Sequence, residues 1–447
     1  MNELKRKLKT ALLYVIVLLV LGMALFYSTV PFLRKDGRSD GGIPALKETK
    51  VEKKYRYSVT MSPVGTVHFE RVPERVMTGD ANYNEMLVAT RDAHKIVKTS
   101  YQTDEISAFY SQIPGFSSGL NWNVINGNVF DSTERLTFDK ELLYHLQCDI
   151  HHLDPIQVMG WKGWSRNDVE EIITNVGPFF ANRGSRDFPL DRPKVAPYAT
   201  APPRQNPDAE QRKFQEEIEE LPSYQNYEVY SLWELSDKIG QVYQKQEVVA
   251  KIKVVADRMS AEIQSKLPPK GKQPRVGLLY WRNKSFTPFG LHHGGFGQAQ
   301  YQIVDARDAF EEIESYNNRS SKEPKTNVVG MVAAADLEAL VACNPDIIIM
   351  ARVGDVNGFK DLLKLKNDPL ARTIPAFQND RVYLGGAVFQ GPIYFLFQVE
   401  MAAKQIYPEI FGPFREDQNY PKEEQLFSRE ELAQILREAE SSTSETP

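Results

Sequence analysis

Cysteine is nearly absent. Cys148 and Cys343 are the two in 447 residues, too few to build an iron-sulfur centre. Each sits in an apolar segment, HLQCDIHHL and LVACNPDII, which points to buried free thiols rather than a disulfide. Neither lies near the apolar N-terminal stretch, so no lipid could be attached to a cysteine there. A basic excess is missing as well: 54 Lys and Arg stand against 59 Asp and Glu, a formal net charge of -5. Phosphate backbones therefore find no counter-charge, and nucleic acid is excluded as a partner. Catalytic signatures are lacking too. There is no GxxxxGK[ST] and no His-Glu-x-x-His, and the glycines at 290–297 lack dinucleotide spacing. The chain reads as a non-enzyme with no prosthetic group. Apolar residues are not scarce, at 42% with 25% charged, which suits a folded chain with substantial cores.

Lys5, Arg6, Lys7 and Lys9 precede an uncharged stretch over residues 11–33. At about 1.5 Å per residue this can cross roughly 30 Å of hydrocarbon. The positive-inside bias keeps the basic flank in the cytoplasm and places the rest on the periplasmic or extracellular side. A cleaved signal peptide has a similar charged start and apolar middle. The length of the stretch, and the lack of a small-x-small site at its end, favour a single-pass anchor in the cell membrane. Residues 34–62 are expected to be a flexible stalk and residues 440–447 a disordered tail.

Between these ends, short β-branched runs alternate with helical patterns: Arg75–Thr78, Lys95–Lys98 and Asp149–Leu153, then Arg275–Tyr280, Asp346–Met350 and Arg381–Leu384. Alternation of this kind predicts an α/β fold with parallel sheets covered by helices. The runs form two groups, which predicts an N-terminal lobe over 63–231 and a C-terminal lobe over 269–439. Residues 232–268 between them carry the most regular helical period in the chain, from Leu235 through Ile252 and Met259 to Leu267. Ser231 and Glu234 form a capping box, and Pro268-Pro269 stops the helix. Gly240 is a candidate break, and the part beyond it alone would run about 40 Å.

An internal echo supports two lobes. Glu141, Leu143, Asp149 and Ile150 recur at the same offsets as Glu338, Leu340, Asp346 and Ile347. Each copy reads as a helix, a tight turn and a buried strand.

Pro73-Glu-Arg-Val76, Phe138-Asp-Lys-Glu-Leu-Leu143 with Asp149, Asp336-Leu-Glu-Ala-Leu340 with Asn344-Pro-Asp-Ile-Ile-Ile349, and Asp368-Pro-Leu370 followed by Pro375 to Tyr383 resemble the periplasmic-binding proteins of the iron-siderophore and cobalamin class. The resemblance covers residues 63–427. It implies two Rossmann-like lobes joined by a single long interlobe helix, with a ligand held between them. The implied function is the substrate-binding component of an ABC importer that captures a ferric siderophore or a related haem or cobalamin ligand. The chain departs from the family in lacking a lipidated cysteine and in the long charged, proline-rich segment over 183–228.

In open α/β sheets ligands bind outside the carboxyl ends of strands. The loops there contain Asn82 and Tyr83, Trp161 and Trp164, Trp281 and Arg282 with Phe289, His292 and His293, then Arg352, and last Phe389 and Gln390. Broad aromatic faces and arginine planes suit a large, anionic metal chelate. The resemblance further implies that Glu141 and Glu338 dock on ABC permease subunits; near helix starts, both are equally favoured by the macrodipole. Two other readings remain open: an enzyme or metal-chelate-processing protein on the same scaffold, and a tethered sensor with a degenerate cleft.

Overall fold

The computed structural model describes residues 55–99, 104–120, 140–160, 163–186, 193–197, 216–282, 285–288, 290–291, 298–311, 337–352, 357–387 and 390–441. The expected anchor and most of the expected stalk lie outside them. Among the described residues no helix is long and apolar enough to cross a membrane.

The described chain begins with an antiparallel hairpin of β1 (Tyr57–Met61) and β2 (Gly65–Phe69). Val59, Met61, Val67 and Phe69 alternate with exposed residues and are buried, the period-2 pattern of a half-covered ribbon. The stalk expectation therefore fails beyond Tyr57, because these apolar positions belong to the core.

Next come β3 (Val76–Thr78), α1 (Ala81–Thr90), β4 (Ile96–Thr99), α2 (Asp104–Tyr110), α3 (Lys140–Leu146), β5 (Ile150–His152), α4 (Pro155–Met159) and α5 (Arg166–Asn175). The second strand group contains β8 (Arg275–Arg282), β9 (Ser285–Pro288), α8 (Ala299–Val304), β10 (Arg307–Asp308), α9 (Leu337–Cys343), β11 (Ile347–Arg352), β12 (Val382–Ala387), α10 (Pro392–Ile406) and α11 (Arg429–Ser441). Between the groups lie the short β6 (Val195–Ala196) and β7 (Tyr227–Glu228), then α6 (Leu232–Val242) and α7 (Gln246–Lys266). The residues of 183–228 that are described are tied to the first group, since β6 pairs with β7 and Asn182 donates to Ser62 O and Glu228 O.

Each strand group forms its own parallel sheet. The first has the order β4-β3-β5, with Phe179 bridged to His151 on the far side of β5. The second runs β10-β8-β11-β12, with β9 returning antiparallel on the end of β8. The orders match, and so does the register: Val76 lies opposite Ile150 as Val276 lies opposite Ile347.

The echo noticed in the sequence is a repeated structural unit. Gln147 (φ 48°) and Asn344 (φ 45°) are left-handed, and their N–H groups bond Leu143 O and Leu340 O, the single-bond form of helix stop. Asp149 and Asp346 then grip the start of the first strand of each sheet. Asp149 Oδ2 accepts from Glu74 N and Arg75 N at 2.8 and 3.0 Å, and Asp346 Oδ2 from Arg275 N at 2.8 Å. Residue 274 is a proline, so the second copy has one donor fewer. Cys148 and Cys343 stand beside these turns as buried free thiols, both pushed up to about 12 by desolvation.

The rod expected between the lobes is two helices. The capping box of Ser231 and Glu234 is present, but α6 continues past Gly240 and ends at Val242. Lys245 N bonds Gly240 O at 2.7 Å and Gln244 N bonds Gln241 O at 3.3 Å, with Gln244 left-handed at φ 59°. This is a Schellman stop carrying glutamine where glycine is usual. α7 starts immediately afterwards and, at 21 residues, is about 31 Å long. Gly240 is needed for a different reason, close approach: a Cβ there would lie 3.2 Å from Gln246 Cα.

The interior is also less divided than two lobes predict. One apolar cluster runs from Val59 and Val76 through Leu235, Ile252 and Phe397 to Val276 and Ile349. Smaller clusters cover the outer side of each sheet, one with Met77, Trp164 and Phe179, the other with Leu279, Phe310 and Phe377. α1 and α10 are buried on every side. The last helix reaches Ser441, and its Glu440 pairs with Arg91 at the end of α1, so the expected frayed tail begins no earlier than residue 442.

Candidate functional site

The strand order puts a crossover on either side of the first strand in each sheet, and loops at such a point diverge to leave a crevice. In the first sheet the loops follow β3 and β5. Gly79 N–H donates to His152 O at 3.0 Å, and a Cβ on Gly79 would meet Leu153 Cγ at 3.1 Å, so any larger residue there would have to displace the Leu153 side chain. Asp80 caps α1 by accepting from Asn82 N at 3.0 Å. Asp154 caps α4 by accepting from Ile156 N at 2.9 Å, while its other oxygen takes Arg183 N at 2.9 Å and the Tyr227 hydroxyl. Burial pushes the Asp154 carboxyl up against the opposing pull of those donors. A depression of about 10 Å³ opens between these loops, lined by Asp80, Asn82, Tyr83, His152, Asp154 and Arg183 among others. That is room for about one water.

Under it lies a stack. The Tyr83 ring is parallel to His152 at 5.3 Å, and its hydroxyl accepts from Asn182 N at 2.6 Å. His152 is held at both nitrogens, by Phe180 O at 2.8 Å and the Tyr243 hydroxyl at 2.9 Å. Desolvation lowers both His151 and His152 from 6.5 to about 4, so both rings are neutral near pH 7. Tyr243 belongs to the turn between α6 and α7. The stack therefore ties the strand end to the joint between the sheets.

In the second sheet the crossover lies between β8 and β11. Trp281 and Arg282 end β8, their backbones opposite Phe286 and Ser285 of β9. Arg352 ends β11, its backbone opposite Ala387. Trp161, Phe289, His292, His293 and Phe389 lie outside the described residues.

The two groups of loops meet. Gln390 N–H, just beyond β12, donates to Asn82 Oδ1 at the start of α1 (2.7 Å), and Gln390 Nε2 donates to Gln300 Oε1 of α8 (2.7 Å). All three residues are buried. The sequence reading placed Asn82 and Gln390 in the cleft as ligand contacts. The structure brings them together as the joint that holds the two loops against each other. Tyr83 is likewise buried.

Trp164 is placed elsewhere. It packs with Val169 and Ile172 of α5 in the outer cluster of the first sheet, with Lys140 Nζ 5.8 Å from its ring centre. The strand-end rule fixes a loop's position and not which way its side chains turn. Glu141 and Glu338 occupy first-turn positions of the two repeated helices, α3 and α9, and both are exposed. A larger depression, about 240 Å³, lies between α7 and residues 422–428 and is lined by none of the sequence-predicted contacts. No group of three His, Cys, Asp or Glu residues among the described ones is placed to hold a metal.

Sequence reasoning missed Asp154, Asn182, Tyr243 and Gln300. Asp154-Pro155 was legible as a helix start, an N-cap followed by proline at the first helical position; the other three are set by tertiary contacts alone.

No protein-family model and no curated protein matches the chain. Solved structures to which it is similar include periplasmic and iron-uptake ABC substrate-binding proteins. A periplasmic binding protein from Veillonella parvula is 12% identical at a TM-score of 0.48, covering 79% of this chain and 92% of that one. The iron uptake ABC transporter substrate-binding protein PiuA from Streptococcus pneumoniae is 12% identical at 0.47, covering 77% and 97%. The triscatecholate siderophore-binding protein FeuA from Bacillus subtilis, complexed with ferri-bacillibactin, is 12% identical at 0.46, covering 78% and 98%.

Proposed function

We propose that the chain captures a bulky solute, a ferric siderophore or a related haem or cobalamin ligand, between the carboxyl ends of its two parallel sheets and hands it to an ABC permease. The observation that carries this reading is the bond from Gln390 N to Asn82 Oδ1. It makes the strand-end loops of two like-ordered sheets face one another, and such loops are where open α/β sheets hold ligands. Trp281, Arg282 and Arg352 end strands of the second sheet at its crossover, and supply the aromatic and cationic character an anionic chelate needs. The solute is bound and released without covalent change, and the N-terminal segment tethers the receptor to the cell membrane on its outer side. Glu141 and Glu338 recur at one position of a repeated unit, exposed on helix first turns. They act as a matched pair of acidic contacts for basic residues of the permease.

The test is titration of the purified chain with ferric siderophores, hemin and cyanocobalamin, followed by tryptophan quenching and thermal shift. Saturable quenching by one of them, weakened when Trp281 and Arg352 are replaced by alanine, is the expected result. Silence with all three would overturn the reading.

A further inference from the structure

α1 has no exposed side, yet its centre carries a carboxyl group. Glu85 is 1% exposed. Its Oε2 accepts from the Tyr110 hydroxyl of α2, and its Oε1 has no hydrogen-bond partner. Across from it, Gly391 caps the start of α10, and a Cβ on Gly391 would lie 3.0 Å from Glu85 carbonyl carbon and closer still to its side chain. Glu85 of α1, three residues after the Asn82 that meets Gln390, is thus pressed against α2 and the start of α10.

Tyr110 is the titratable group that faces it. Several charged groups of the described elements packed on α1 have partners elsewhere. In α10, Glu400 pairs with Arg429 of α11 and Lys404 donates to Phe411 O. Asp237 of α6 accepts from Gln241, and Lys238 lies over Tyr230. Arg258 and Lys251 of α7 meet Glu431 and Glu438 of α11, Arg91 meets Glu440, and Asp92 meets Lys95. β3 contributes no charge. A carboxylate held by one hydroxyl, with no cation of the described residues against it, bears the desolvation cost of a buried charge, and in such a site the group takes up a proton instead.

We propose that Glu85 is a neutral carboxylic acid, held by Tyr110 of α2 and packed against the start of α10, and that loss of its proton loosens the seam joining the Asn82 and Gln390 loops. This goes beyond solute capture and holds whichever solute is bound. Burial raises the Glu85 carboxyl well above its ordinary value. Between the ordinary carboxylate value and the raised one, the folded chain keeps a proton that the unfolded chain has lost, so stability falls as pH rises through that interval. The slope is one proton, about a factor of ten in the folding constant per pH unit.

The experiment compares the full chain with Glu85→Gln, which keeps the shape and cannot ionise. Unfolding constants would be measured by denaturant from about pH 6 to about pH 9, with hydrogen exchange of the Gln390 and Phe395 amides, which bond Asn82 Oδ1 and Gly391 O, corrected for its intrinsic pH dependence. The wild type is expected to lose roughly tenfold more per pH unit than the variant over part of that range, with protection of the Gln390 and Phe395 amides falling in step. Infrared spectra should show a protonated carboxylic acid band at neutral pH that is absent in Glu85→Gln and shifted in Tyr110→Phe. Parallel pH profiles, or a band that neither substitution changes, would overturn the proposal. If Glu85→Gln does not fold, the Tyr110→Phe band decides: a shift supports the neutral acid and no shift removes it.

Discussion

Asn82 and Gln390 stand 308 residues apart and are joined at 2.7 Å through Gln390 N and Asn82 Oδ1. Because the donor is a backbone group buried with its partner, deleting the acceptor strands it. Asn82→Ala should lower stability by about 1–3 kcal/mol, whereas Gln390→Ala keeps the N–H and loses only the bond to Gln300, about 1 kcal/mol. Guanidinium midpoints for both variants check this; equal losses would mean that the backbone bond does not carry the joint.

Acid should weaken the fold through the neutral histidines. His151 and His152 are lowered from 6.5 to about 4 by burial. Their contribution is whole above the unfolded value and is lost as pH falls from about 6.5 towards about 4, where the unfolded chain binds protons that the folded chain refuses. Each ring accounts for a few kcal/mol at most, roughly. His152→Gln should flatten part of the acid limb of a denaturation series, and an unchanged limb would show that the ring takes up its proton as readily in the folded chain as in the unfolded one.

The two aspartates that start the sheets should behave alike. Asp149→Ala leaves Glu74 N and Arg75 N without their acceptor, and Asp346→Ala leaves Arg275 N. We expect losses of about 1–3 kcal/mol in each case, the first the larger, because it holds two donors and also meets Arg71 at 2.9 Å. Urea midpoints test the order.

At the turn between α6 and α7, Gln244→Gly should stabilise by about 1 kcal/mol, since glycine adopts the left-handed conformation without the Cβ penalty. Gly240→Val should do the reverse, because even a single Cβ there would stand 3.2 Å from Gln246 Cα. Thermal melts of the two variants should move in opposite directions.

Uptake and binding should separate at the acidic pair. Glu141→Arg and Glu338→Arg lie on exposed helix starts, so each is expected to leave solute affinity and melting temperature unchanged while cutting transport in whole cells by tenfold or more. A loss of affinity in either would place the residue in the cleft instead.

The strands were legible because their β-branched runs are short and bounded by turn residues: Val76, Ile150, Val276 and Ile347 all fall where periodicity puts them. The helix break was not. Gly240 carries the expected breaker chemistry but lies within the helix, and the true stop uses Gln244, whose side chain gives no local signal. The repeated aspartates were visible as spacing. Their grip on Arg75 and Arg275 was not, since it joins backbone atoms some seventy residues away. The site divides the same way. Loop positions follow from strand ends, but whether Trp164 turns to the crevice or to the outer cluster is decided by α5, and whether Asn82 meets solute or Gln390 is decided by the far half of the chain.

The single apolar cluster that threads both sheets bears on how the molecule can be taken apart. A gene cut after Val242 would yield two fragments, each with a broad oily wall where the other half had been, and neither should persist alone in water. Mixed together they should recombine, and the intact chain should melt in one step rather than two.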